Sequence, residues 1–171
     1  PAFSGVEISA DNLKPILDAC GAKGLKYTAY NLFELEKIHR RFPELKLFNG
    51  HDEVTLNALP IGISGAIGST FNVMAPRFLA LLRAFEAGAL DEAAALQREI
   101  NEIIEVMIRV GVNPSIKYWL TRAGIPCGNC RQPFAPIDED GARLLEAYTP
   151  RVLQIGQNAG AFAGSLLMAG A

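Results

Sequence analysis

Apolar residues recur at two periods along this chain, and the balance between them shifts partway. In the first third, short β-prone runs alternate with segments of helical spacing. Ala10 to Cys20 places Leu13, Ile16 and Leu17 on one helical face, with Ser9 or Asp11 available as a cap. Pro15 falls near its first turn, where proline is tolerated. Gly24 to Ala29 then reads as a strand, with Lys26 and Thr28 on one face and Leu25 and Tyr27 on the other. Asn31 to Arg41 returns to helix, aligning Leu32, Leu35 and Ile38, and Pro43 stops it. Leu45 to Asn49 predicts a second strand, Asp52 to Leu59 a short helix, and Gly65 to Ser69 a third strand.

Beyond this point the period is helical alone. Phe78, Leu81, Leu82 and Phe85 share a face of a helix that Gly88 ends. Asp91 is the expected cap of the next, whose stripe is Leu96, Ile100, Ile103, Met107 and Val110, closed by Gly111. Ser115 to Ala123 predicts another helix carrying Trp119 as a packing residue. A proline-rich loop, Ile125 to Pro136, precedes a helix from Asp138 to Tyr148, and the remainder is rich in Gly and Ala. Strands separated by crossover helices pair in parallel, so the fold class is α/β. Parallel sheets need both faces covered and both edges managed, so three strands read as part of a larger sheet.

Composition narrows the function classes. Lys and Arg number 16 against 18 Asp and Glu among 171 residues, a formal net charge of −2, so no basic surface for nucleic acid is expected. The most apolar run, Ala159 to Ala171, is about 13 residues, short of a membrane span. Three cysteines, Cys20, Cys127 and Cys130, argue against a disulfide scaffold and fit a reducing cytosol. The chain starts at Pro1 without a signal-peptide pattern or an initiating Met, which suggests trimming or an upstream segment.

Four places could carry chemistry. Lys26 lies in an otherwise apolar strand, where desolvation would leave its amine nucleophilic toward a ketone, with the Thr28 hydroxyl on the same face. A solvated strand lysine explains the same spacing. Asn49-Gly50-His51-Asp52-Glu53 sits at the end of a strand, where parallel α/β folds gather ligand loops, and Asp52 and Glu53 can accept bonds from hydroxyl-rich ligands. Two acidic residues opening a helix also suit its dipole. Ile67-Gly68-Ser69-Thr70, again at the end of a strand, offers backbone amides and a hydroxyl, or an ordinary turn. Cys127-Gly128-Asn129-Cys130 is a lone CxxC in a loop, without the four ligands of a zinc site or the strand–helix context of a redox pair, and no metal is expected.

Taken in order, GLKYTAYNLFELEKI, LFNGHDEV, GAIGSTFNVM and GIPCGNCRQPFAPID resemble the N-acetylneuraminate lyases, in the dihydrodipicolinate synthase and N-acetylneuraminate lyase family of pyruvate-dependent class I aldolases. The likeness runs from Pro1 to about Tyr148. It implies the C-terminal portion of a (β/α)8 TIM barrel, about its last three strands, over residues 1–88. A helical extension over 89–148 would follow, and the tail over 149–171 falls outside the likeness. It implies that Lys26 is the Schiff-base lysine and that Thr28, Gly50, Asp52, Glu53 and Ser69 bind substrate. The Gly-His-Asp-Glu run points to the sialic acid branch, since the synthases tend toward Gly-Asp-Asp there.

The implied activity is reversible retro-aldol cleavage of N-acetylneuraminate to N-acetylmannosamine and pyruvate. The family needs no cofactor and works in the cytoplasm as a homotetramer, with a small-molecule sugar acid and pyruvate as partners, and neither nucleic acid nor membrane. The family's catalytic tyrosine precedes the Pro1 segment, and neither Tyr27 nor Tyr30 matches its motif. The expected partner is therefore also the N-terminal half of the barrel. Two other readings stay open: another pyruvate-dependent aldolase, for aspartate semialdehyde condensation or a keto-deoxy sugar acid, and a non-enzymatic half-barrel assembly module.

Overall fold

The computed structural model describes the backbone of residues 5–166 and the side chains through residue 153. The Gly/Ala-rich tail expectation concerns side chains that lie mostly outside the described residues. The chain divides into two compact units, residues 1–68 and 69–171.

The first unit follows the alternation of its sequence. Helix α1 (Leu13–Cys20) leads into strand β1 (Gly24–Tyr27), helix α2 (Leu32–Arg41), strand β2 (Lys46–Asn49), short helix α3 (Thr55–Ala58) and strand β3 (Gly65–Ala66). The strands pair in parallel in the order β1-β2-β3, with Lys26 opposite Phe48 and Asn49 opposite Ala66. It is an open sheet and not a closed barrel among the described residues. One face of it carries Tyr27 and Leu47 into a core with Leu13, Leu35, Ile38 and Ala58. The alternation predicted for β1 holds, since Tyr27 is buried and Lys26 and Thr28 are exposed.

Several boundaries move for local reasons. Asn12, rather than Ser9 or Asp11, stands at the start of α1, because Ser9 and Asn12 exchange hydrogen bonds in the preceding turn. The stretch expected as one helix from Asp52 splits into a 3-10 turn over Asp52–Val54 and then α3. β3 pairs over two residues only, so Ser69 falls outside it. Asn31 caps α2 by accepting from the Glu34 amide at 3.0 Å. Asn31→Ala should lower stability by about 1 kcal/mol in urea unfolding without altering the fold.

The second unit is helical: α4 (Phe71–Glu86), α5 (Leu90–Val110), α6 (Val112–Arg122) and α7 (Glu139–Leu166). All four pack on one another. Met74, Leu81, Ile100, Ile103, Met107 and Trp119 are fully buried. Asp91 lies inside the first turn of α5, and Ala89 is its N-cap. Gly111 ends α5 at φ 113° and at once opens α6, whose first turn accommodates Pro114, so that helix starts before Ser115.

Helix α7 runs on past Pro150. A proline there supplies no amide to the preceding turn. The Leu145 carbonyl, one residue before the Glu146 carbonyl that such an amide would reach, accepts from the Trp119 indole at 3.3 Å and from the Thr149 hydroxyl at 3.0 Å.

Candidate functional site

Parallel pairing brings the carboxyl ends of β1 and β2 side by side. The Gly50 amide donates to the Tyr27 carbonyl at 2.8 Å, extending the ladder by one step beyond β2. That step lays Gly50 against the Thr28 side chain and the Lys26 chain. A Cβ built on Gly50 would stand 2.9 Å from Thr28 Cβ and 3.0 Å from Lys26 Cε, and closer still to Thr28 Oγ1. Three of the candidate residues therefore meet at one point of the sheet, and glycine is what permits the approach. Lys26 itself is exposed. The apolar enclosure expected around it is not provided by the described residues.

The loop after β2 is pinned by Asn49, which is 1% exposed. Its Nδ2 donates to the His51 carbonyl at 2.6 Å and to Thr55 Oγ1 at 3.4 Å, and Thr55 Oγ1 donates to the Asp52 carbonyl at 2.9 Å. Asp52 is buried. Gly68 abuts its carboxylate so closely that any Cβ there would overlap it. Glu53 is half-buried and faces two rings: Tyr30 Oη donates to Glu53 Oε1 at 2.5 Å, and His51 Nδ1 lies 3.5 Å from the same oxygen. The Tyr30 and His51 rings stack, with centroids 4.0 Å apart and planes 9° from parallel. The hydrogen bond to Glu53 is the main cause that pushes the Tyr30 phenol up to about 12.

Lys26, Thr28, Gly50, Asp52 and Glu53 thus all lie in the first unit, at or just beyond the carboxyl ends of its strands. Ser69 opens the second unit, where it is exposed and its carbonyl accepts from the Asn72 side chain at 2.8 Å. Asn49 and His51 lie within the candidate run after β2 and Tyr30 just after β1, but none of the three is among the residues expected to touch substrate. The first has a signal in hindsight, a buried-side asparagine closing an apolar strand. The Tyr30–Glu53 contact spans two strands and leaves no local signature.

The remaining chemistry-bearing residues are elsewhere. His39 packs against Gly62. Cys127 and Cys130 are free thiols in a loop whose Cys127 and Asn129 carbonyls accept from Lys117 Nζ at 2.9 and 3.1 Å. Among the described residues no cluster of His, Cys, Asp and Glu could hold a metal ion, and no helix is long and apolar enough to cross a membrane.

Residues 1–149 match the dihydrodipicolinate synthetase family. N-acetylneuraminate lyase of Salmonella typhimurium is 35% identical over 157 residues, which are 90% of this chain and 52% of that protein. The chain spans about half the length of the curated relatives it matches. Among solved structures, CdNal of Clostridium difficile, in complex with mannosamine, aligns at TM-score 0.83 and 30% identity over 89% of this chain and 52% of that one. N-acetylneuraminate lyase of Fusobacterium nucleatum, complexed with pyruvate, aligns at TM-score 0.82 and 29% identity over 88% and 51%.

Proposed function

The chain belongs to the dihydrodipicolinate synthetase family, and we propose that it contributes the Schiff-base lysine and the sugar-acid loops of an N-acetylneuraminate lyase. The observation that carries this reading is the convergence of Lys26, Thr28 and Gly50 at the ends of two paired strands, in the order the family requires. The 35% identity to N-acetylneuraminate lyase of Salmonella typhimurium supports the same branch. On this reading residues 1–88 are the closing part of the barrel, and residues 89–148 are its helical extension. The rest of the barrel supplies the remaining active-site groups.

Lys26 Nζ adds to the C2 ketone of open-chain N-acetylneuraminate, and loss of water gives a protonated imine. The imine takes up the electron pair of the breaking C3–C4 bond while the C4 hydroxyl proton leaves to a base, releasing N-acetylmannosamine as the aldehyde. The enamine is protonated at C3, and water then hydrolyses the imine to free pyruvate and Lys26. Covalent catalysis of this kind divides one difficult cleavage into two easier steps. Thr28 stands beside the imine, and the Gly50 backbone, Asp52, Glu53 and Ser69 accept or donate hydrogen bonds along the hydroxylated chain of the sugar acid. This chemistry is carried by the lysine and needs no metal or separate cofactor. The family pattern further points to a cytoplasmic homotetramer.

Incubation of the full-length protein with N-acetylneuraminate should release pyruvate and N-acetylmannosamine in equal amounts, followed by coupled reduction of the pyruvate. Release of pyruvate only from a different aldol substrate would move the assignment to another pyruvate aldolase. A protein that joins its barrel but cleaves no such substrate would favour the assembly-module reading.

A further inference from the structure

The Tyr30–His51 pair is placed where no core-packing argument accounts for it. Tyr30 is 63% exposed, so its ring gains little from burial. It sits in the turn between β1 and α2, and its side chain meets Glu53 and His51, both on the loop after the neighbouring strand. We infer that Tyr30 and His51 are positioning residues that hold the Glu53 carboxylate in one orientation, as a preset acceptor for hydroxyl groups of the sugar-acid chain. The inference rests on the functional reading above.

The geometry supports this at three levels. The Tyr30 hydroxyl fixes Glu53 Oε1 at 2.5 Å, and His51 Nδ1 faces the same oxygen at 3.5 Å. The His51 ring, stacked on Tyr30, keeps the phenol from rotating away. The His51 backbone is in turn held by the buried Asn49 side chain, through the 2.6 Å bond to its carbonyl. A glutamate has one of the more rotamer-rich side chains, and a ligand that must order it loses affinity. Ordering it beforehand removes that cost from binding, and it fixes the carboxylate as an acceptor, which favours ligand hydroxyls at that place.

The phenol-to-carboxylate bond also leaves a spectroscopic mark. The ordinary tyrosine ionises near 10, and this one is held up at about 12, chiefly by the bond to Glu53. Because the folded value is raised, the bond's contribution is complete below about 10 and is lost as pH rises through about 12. Glu53 and His51 are titratable groups that face the phenol.

The test compares the full-length protein with Tyr30→Phe, His51→Ala and Glu53→Gln. Tyr30→Phe should raise KM for N-acetylneuraminate about 5- to 10-fold, with a much smaller change in kcat, because uniform binding is lost while the reacting atoms are untouched. His51→Ala should shift KM the same way but less. In ultraviolet tyrosinate titrations, a step near 12 should vanish in Tyr30→Phe and move toward 10 in Glu53→Gln. An unchanged KM in Tyr30→Phe, with wild-type cleavage intact, overturns the positioning role alone. A loss confined to kcat, or one matched by a fall in Tm, overturns it in favour of a catalytic or merely structural role. Absence of wild-type cleavage overturns the functional reading, and the inference falls with it.

Discussion

Lys26→Met in the full-length protein is expected to lower pyruvate release from N-acetylneuraminate by at least about 10³-fold, since removing a covalent nucleophile removes the pathway rather than one contact. Incubation with pyruvate and borohydride should trap one pyruvate-sized adduct on wild type, on the peptide that contains Lys26, and none on the variant. Methionine retains most of the lysine stem, so the approach of that stem to Gly50 is nearly preserved and stability should change little. Fold and chemistry are thereby separated. An adduct on another lysine, or full activity in Lys26→Met, would sink the assignment. Arginine is the less useful replacement, because its planar guanidinium is not a smaller change at a site this close to a glycine.

Much of the architecture was legible because local signals and global pairing agree. Leu25 and Tyr27 alternate with Lys26 and Thr28, and the sheet turns the first pair toward its core, Tyr27 buried and Leu25 partly so, while the second pair is exposed. Asn31 reads as a helix start and caps α2. Helix ends are where sequence and structure differ. The helix expected over Asp138 to Tyr148 is followed in sequence by a Gly- and Ala-rich remainder, yet the backbone of α7 continues through Pro150. Asp91 looks like a cap but lies inside the first turn of α5, where its charge still suits the helix dipole.

The candidate site was legible in composition but not in construction. Gly50, Asp52 and Glu53 can be picked from the end of an apolar run. What cannot be read is why each has its neighbours. Gly50 is needed because Thr28 comes across from the adjacent strand, and Gly68 because the buried Asp52 carboxylate fills the space where its side chain would be. Such close approaches follow from register, and register is a relation between segments rather than a property of either one.

Gly50→Ala tests that relation directly. The Gly50 backbone does not fall in the left-handed region, so an alanine is not opposed by its own φ. The obstacle is the neighbour: the new methyl would stand 2.9 Å from Thr28 Cβ and 3.0 Å from Lys26 Cε. The lysine stem can swing aside, but Thr28 is β-branched, stiff at χ1 and directly after a paired strand. Either the Thr28 rotamer or the separation of the loops must give. Overpacking of this kind costs about 1–3 kcal/mol, readable as a lower urea midpoint with an unchanged slope. The functional loss should be larger, because displacing Lys26 by about 1 Å from the reacting carbon can lower kcat/KM about 10²-fold. Gly21→Ala supplies the comparison. Gly21 lies at φ 64° with nothing within 4 Å of a built Cβ, so its replacement strains the backbone alone. It should cost about 1–2 kcal/mol and leave kcat/KM of the folded protein as it was. Equal kinetic losses in the two variants would show that Gly50 serves only stability, and an unaffected Gly50→Ala enzyme would place the ketone away from Lys26 and Thr28.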